Sequence, residues 1–256
     1  MFKKILDMIY PEGIKCIVCN DDIVKNNTHM LCDNCLIHLP FTKEKVCVKC
    51  GRNITGKGEY CLDCKRTKRY FTKAIASLWY KGEVVKLIHK LKYGNARYLA
   101  KPLAFIMYDK VKAEKINFDL IIPVPICDKR LKERGYNQSL LIAMELAKLC
   151  KKPLLEEVLI RTKDTDTQTN LTKKERNENL VDAFKVVDKK SIKDKTILLI
   201  DDVLTTGATA NNCCIKLLNA KCKEIYVATI ARTPYEPFKD VYKALNMAKE
   251  LEKLTF

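Results

Sequence analysis

Two periodicities alternate along most of this chain. Short apolar runs rich in β-branched residues, bounded by charged or turn residues, predict strands at 74–80, 118–122, 154–160, 197–200 and 223–231. Between them apolar positions recur at helical spacing. Val84, Leu87, Ile88 and Leu91 predict a helix over 83–91, which Tyr93-Gly94-Asn95 breaks, and a second follows over 97–111. A third ends near residue 150, and Ala210, Cys213, Cys214, Leu217 and Leu218 predict a fourth. The run from Ile197 to Ile200 is apolar at every position, which is the pattern of a parallel strand covered on both faces. Beyond Pro234, Val241, Leu245, Ala248 and Leu251 describe a basic amphipathic helix whose expected role is packing.

The first seventy residues carry a different signal. Eight of the chain's 13 cysteines fall into four pairs of identical spacing: Cys16/Cys19, Cys32/Cys35, Cys47/Cys50 and Cys61/Cys64. Two thiolates two residues apart can share one tetrahedral ion, so four such knuckles supply two closed four-thiolate sites for structural zinc. Gly51, directly after Cys50, suits a turn that tightens around a metal. Sequential pairing joins Cys16, Cys19, Cys32 and Cys35 in one site and Cys47, Cys50, Cys61 and Cys64 in the other; an interleaved cross-brace fits the spacing as well. His29 and His38 flank the second knuckle and are expected to be non-ligands, since eight cysteines suffice. A module this poor in apolar residues is expected to need its metal to fold. Disulfides fit less well, because the opening residues lack a secretory cleavage site and the other five cysteines are scattered.

Charge sharpens the division. The chain carries a formal charge of +17, and residues 1–115 hold 23 basic against 11 acidic side chains, leaving 25 and 20 for the rest. Eight thiolates and two Zn²⁺ bring the total only to +13. Such an excess attracts phosphate-bearing polymers, and single-stranded DNA is the expected partner; a lysine-rich composition throughout accounts for the same count. The connector KRTKRY, residues 65–70, is either a solvated linker or a nucleic-acid contact. No apolar run approaches the length of a membrane span, so no membrane insertion is expected, and the chain reads as cytoplasmic.

The most specific chemistry lies at 196–209, TILLIDDVLTTGAT. A buried strand leads to two adjacent carboxylates, Asp201 and Asp202, then to Thr205, Thr206, Gly207, Ala208 and Thr209, then to a helix. In an open α/β sheet, ligands bind beyond the carboxyl ends of the strands. Backbone N–H groups at the helix start, with Gly207 allowing close approach and threonine hydroxyls alongside, suit a phosphate. The carboxylates suit neighbouring sugar hydroxyls, or a magnesium ion on them. The run resembles the phosphoribosyl pyrophosphate (PRPP) motif of type I phosphoribosyltransferases at every position. That resemblance implies that Asp201 and Asp202 hold the ribose hydroxyls and that residues 205–209 hold the 5′-phosphate.

After the 118–122 strand come Pro123-Val124-Pro125 and a basic stretch, Lys129-Arg130-Leu131-Lys132-Glu133-Arg134-Gly135-Tyr136-Asn137-Gln138-Ser139. A basic, Gly-containing turn between strand and helix complements a pyrophosphate. Together with the cysteine segment, this stretch is similar to the ComF family, phosphoribosyltransferase-like proteins linked to DNA uptake in natural transformation. The resemblance implies an N-terminal double zinc ribbon (1–70) and an α/β domain (71–233) built as a parallel sheet with helices on both faces. It also implies a hood at about 81–112, containing Leu91-Lys92-Tyr93-Gly94, and a C-terminal extension at 234–256. Lys129, Arg130, Arg134, Gly135 and Asn137 would face the pyrophosphate. Thr167-Gln168, Leu171 and Arg176 to Asn179 would belong to a lid, with Arg176 joining Asp201 and Asp202 as catalytic residues. PRPP with Mg²⁺ is the implied ligand, competence-machinery proteins are implied partners, and the acceptor is unassigned. A non-catalytic DNA-handling factor regulated by PRPP and an enzyme of nucleotide metabolism are the alternatives.

Overall fold

The computed structural model describes residues 14–24, 27–42, 45–54, 57–162 and 183–235. In chain order its elements are the short helices α1 (Asp33–His38) and α2 (Leu62–Arg66), strand β1 (Lys73–Trp79), helix α3 (Glu83–Tyr93), and a 3-10 turn (Arg97–Leu99) leading into α4 (Ala100–Ala113). There follow β2 (Leu120–Pro123), α5 (Asp128–Arg134), α6 (Gln138–Cys150), β3 (Leu159–Arg161), β4 (Phe184–Val186), β5 (Thr196–Leu204), α7 (Ala208–Asn219) and β6 (Glu224–Arg232). The expected lid residues 167–179, Arg176 among them, and the helix expected at 241–251 lie outside the described residues.

Strands β1, β6, β5 and β2 form one parallel sheet in that order. The unbroken apolar run of β5 is the reason the sheet has two cores. Leu198 and Ile200 point to the side of Leu103 and Met107 of α4 and Ile142 and Leu146 of α6. Ile197 and Leu199 point to the side of Cys213, Cys214 and Leu217 of α7 and Phe184 of β4. All four β5 residues are fully buried, and each contributes roughly 1.5–3 kcal/mol by leaving water.

Chain direction places a crevice in this sheet. From β2 the chain passes through α6 to residues 153–155, whose backbone pairs with Ile121 on the far side of β2. From β5 it passes through α7 to β6, on the other side. The two helices therefore cover opposite faces, and the strand order reverses between β2 and β5. A crevice opens beyond the carboxyl ends at such a switch point.

Two expectations need correction. The apolar stretch 154–160 is not one strand. Its start pairs with β2, whereas Leu159–Arg161 forms an antiparallel pair with Phe184–Val186. The basic stretch after Pro125 is not an open turn. Residues 128–134 (DKRLKER) are mostly good helix formers, Asp128 complements the first turn, and Gly135 closes α5 in the left-handed region at φ +74°.

The cysteine module is not a separate bead. Leu39 to Thr42 run antiparallel along the free edge of β1, with Trp79 N donating to Pro40 O (2.8 Å) and Thr42 N to Ser77 O (3.0 Å). This covers the carboxyl-terminal part of that edge. The half before it packs into the α4/α6 core through Cys16, Ile17, Leu31 and Leu39. The half after it packs into the α7 core through Cys47, Cys50, Cys61 and Phe71. One ribbon thus lies on each face of the sheet.

Candidate functional site: a carboxyl-edge pocket beside two cysteine tetrads

The cysteines gather sequentially. Cys16, Cys19, Cys32 and Cys35 form one cluster, and Cys47, Cys50, Cys61 and Cys64 form the other, the sulfurs of each within 4.8 Å of one another. This removes the cross-braced alternative. Cys19 to Cys32 and Cys50 to Cys61 are each 3.6 Å apart. That is near the ~3.8 Å edge of a zinc tetrahedron with ~2.3 Å bonds and far from the ~2.05 Å of a disulfide. The first knuckle of each tetrad turns alike: Asn20 and Gly51, each one residue past the second cysteine, have φ +67°. At Gly51 a Cβ would stand 2.9 Å from the Ala74 carbonyl oxygen, so glycine is required there by space as well. His29 and His38 are engaged elsewhere, His29 with Asp109 (2.7 Å) and His38 with the Asn34 carbonyl (2.7 Å).

The second tetrad has a partner that the sequence did not suggest. Arg232, at the end of β6, is 1% exposed, and its Nη2 donates to Cys50 Sγ at 3.4 Å. Among the described residues its Nε and Nη1 have no hydrogen-bond partner. Burial pushes its pKa down, and the Cys50 thiolate opposes that shift. A tetrathiolate zinc centre carries a net charge of −2, which fits a buried guanidinium with no carboxylate at hand.

At the switch point three segments converge. Asp201 and Asp202 lie within β5 rather than after it. Asp201 Oδ1 accepts from Ser139 Oγ (3.0 Å), in the first turn of α6. Asp202 is buried, its Oδ1 accepts from Val203 N (2.7 Å), and its Oδ2 is 2.7 Å from the Lys92 ammonium of α3. The Leu91–Gly94 segment, through Lys92, and the RGYNQS stretch, through Ser139, therefore both reach the acidic pair. They also bind each other. Arg134 donates to Tyr93 Oη (3.1 Å) and Gln138 Oε1 (2.9 Å), Tyr136 Oη donates to the Leu91 carbonyl, and the Arg97 guanidinium lies 4.6 Å from the Tyr136 ring centre. Asn137 is spent on scaffolding: its Oδ1 caps α6 and its Nδ2 donates to Val124 O (3.0 Å). Lys129 is exposed and Arg130 half-buried on α5, which leaves the carboxyl end of β2.

The threonine loop follows directly from the carboxylates, between β5 and α7. Thr205 and Thr206 are exposed, and Gly207, at φ +78°, starts α7. Thr206 Oγ1 accepts from Ala208 N (3.3 Å), and Thr209 is half-buried in the first turn. Lys92 and Ser139 sat in motifs already singled out, yet their pairing with carboxylates far along the chain has no sequence signal.

Burial, then the neighbouring charge of Asp202, pushes Asp201 up from 3.8 to about 7, against the pull of Lys92 and Ser139. Keeping it ionised therefore costs folding stability. The cost is absent below about pH 4, grows as pH rises toward 7, and is complete above 7. Asp201→Asn should accordingly raise Tm by a few degrees at pH 8 and hardly change it at pH 4, as differential scanning fluorimetry would show. For the tetrads, the expected content is two zinc ions per chain by elemental analysis. Because both ribbons enter the cores, stripping the metal should expose the α/β domain as well as the first seventy residues to limited proteolysis.

The double zinc ribbon family model matches residues 5–65, and the phosphoribosyl transferase domain model matches residues 137–254. Among curated proteins, Competence protein F of Haemophilus influenzae is 31% identical over 228 residues, covering 86% of this chain and 97% of that protein. The DNA utilization protein YhgH of Escherichia coli K12 is 26% identical over 197 residues, covering 75% and 86%. Among solved structures, a purine phosphoribosyltransferase from Pyrococcus horikoshii aligns over 53% of this chain and 75% of its own, with a TM-score of 0.33 and 20% identity. Paired tetrads, the strand order of the sheet and a similarity that covers 86% of this chain together place it in the ComF family of competence-related phosphoribosyltransferase-like proteins.

Proposed function

We propose that the crevice binds PRPP with Mg²⁺ and that the protein acts in the uptake or use of DNA. The observation that carries this reading is the convergence of LKYG, RGYNQS and DDVLTTGAT at the carboxyl edge between β2 and β5. The Thr205–Thr209 loop takes the 5′-phosphate. Asp201, whose Oδ2 accepts no hydrogen bond among the described residues, meets the ribose hydroxyls. Asp202 is fixed by Lys92 and sets the charge beside it. Lys129, Arg130 and Arg134, on α5, give the pyrophosphate side its positive charge, with Gly135 ending that helix and Asn137 capping the next. A half-buried carboxyl whose pKa burial and the neighbouring Asp202 raise to about 7 suits a divalent cation, which would supply charge neutralisation to the pyrophosphate when bound. If the phosphoribosyl group is transferred, the nucleophile's bond to the anomeric carbon forms as the bond to the pyrophosphate oxygen breaks, with the electron pair leaving on pyrophosphate. The protein's part is positioning and electrostatics.

The DNA role is supported by the relatives' names and by the basic ribbon half. There Arg52, Lys57, Tyr60 and Lys65 line a cavity of about 310 Å³ on the second ribbon, with Tyr60 exposed. Basic grooves with exposed aromatics suit single strands.

Calorimetry with the full chain should show PRPP binding that needs Mg²⁺ and is lost in Asp201→Ala plus Asp202→Ala. Retention of wild-type affinity in that variant would remove the assignment. Single-stranded DNA binding should weaken as salt rises, with a log–log slope set by the number of phosphates neutralised.

A further inference from the structure

The second ribbon touches the phosphate loop itself. Arg52, between Cys50 and Cys61, pairs with Asp63 and donates Nη2 to the Thr205 carbonyl at 3.5 Å. Past Cys64 the chain is pinned to the first turn of α7 on both sides of Arg69. Asn211 Nδ2 donates to Lys68 O (3.4 Å), and Tyr70 N donates to Asn211 Oδ1 (2.8 Å). Arg69 is thereby aimed at the loop: its Nη1 lies 3.5 Å from the point a Cβ on Gly207 would occupy. Its Nε is buried and without a hydrogen-bond partner, and among the described residues no carboxylate or carbonyl meets the guanidinium. A cation held at the positive end of a helix, with Arg52 close by, is electrostatically unfavourable unless an anion joins them.

We propose that Arg69 is a ligand of the phosphate held by the Thr205–Thr209 loop, and that the second cysteine tetrad is the device that positions it. The proposal rests on the PRPP reading of that loop and adds a residue from the ribbon to the pocket. Arg69 supplies what the loop lacks, a planar donor that can bind two phosphate oxygens at once. The tetrad holds the ribbon against the sheet through Arg232 and Cys50, and the ribbon holds Arg52 and Arg69 against the loop. Among the described residues the first ribbon has no hydrogen bond to the loop; it meets α4 instead, through His29 and Asp109.

The test uses the zinc-loaded full chain, with PRPP, ribose 5-phosphate and inorganic pyrophosphate as calorimetric probes. Arg69→Ala should weaken PRPP and ribose 5-phosphate by about 10- to 100-fold and leave pyrophosphate within about twofold, with zinc content unchanged. Arg69→Lys should recover part of the loss, because it restores charge without the fork. Lys189→Ala, an exposed lysine with no role in the pocket, controls for general loss of positive charge. Cys64→Ser should lose one zinc and weaken ribose 5-phosphate as far as Arg69→Ala does. The double variant should be no weaker than the weaker single. Wild-type binding of PRPP that Arg69→Ala leaves within twofold overturns this proposal alone, as do additive losses in the double variant. Failure of the wild-type chain to bind PRPP or ribose 5-phosphate overturns it together with the reading of the pocket.

Discussion

Everything in this molecule depends on β5 being buried on both faces. A strand clothed on both sides must pair with neighbours on both edges, and here those are β2 and β6. Because its apolar run passes without a break into Asp201 and Asp202, the strand carries two carboxylates to the rim of the interior. No local rearrangement can move them into water without unpairing the sheet. The rest of the pocket answers that placement. Lys92 and Ser139 arrive from helices on the α4/α6 side to meet them, and the threonine loop turns away immediately after. The raised pKa of Asp201 is the electrostatic trace of this constraint: a carboxyl held where a ligand cation would suit it better than the protein does.

The zinc ribbons belong to the same argument. Their small hydrophobic inventory is insufficient alone, yet joined to the two cores of the sheet it is enough to seat one ribbon on each face. The two tetrads are alike in their knuckles and unlike in their surroundings. The first sits against α4, and the second sits beside Arg232 and the Thr205–Thr209 loop. Metal chemistry that is identical locally therefore sits against different parts of the sheet and its helices.

How much of this could be read from residues alone depended on sequence distance. The β5–α7 unit was legible because strand, carboxylates, glycine and helix are contiguous, and each needs only its neighbours. The tetrads were legible for the same reason within each knuckle, and their sequential grouping required three dimensions to settle. The basic segment was misread because Gly135 draws attention as a turn, whereas the residues before it are helix formers and the glycine ends their helix. The strand expected at 154–160 failed because its two ends find different partners, β2 and β4. Lys92 with Asp202, Ser139 with Asp201, and Arg232 with Cys50 join residues far apart in the chain, and no periodicity announces such pairs.

The passage of residues 39–42 along β1 has a consequence for assembly. The polypeptide crosses from one side of the sheet to the other around its rim, so the ribbons grip the sheet like the jaws of a clip joined at the hinge. During synthesis both jaws leave the ribosome before the strands they will grip exist. They wait with apolar flanks uncovered, and Cys50 finds its buried guanidinium only when β6, the last strand described, has been made. A nascent chain of this kind has every reason to take up its metal early and to finish its closure late.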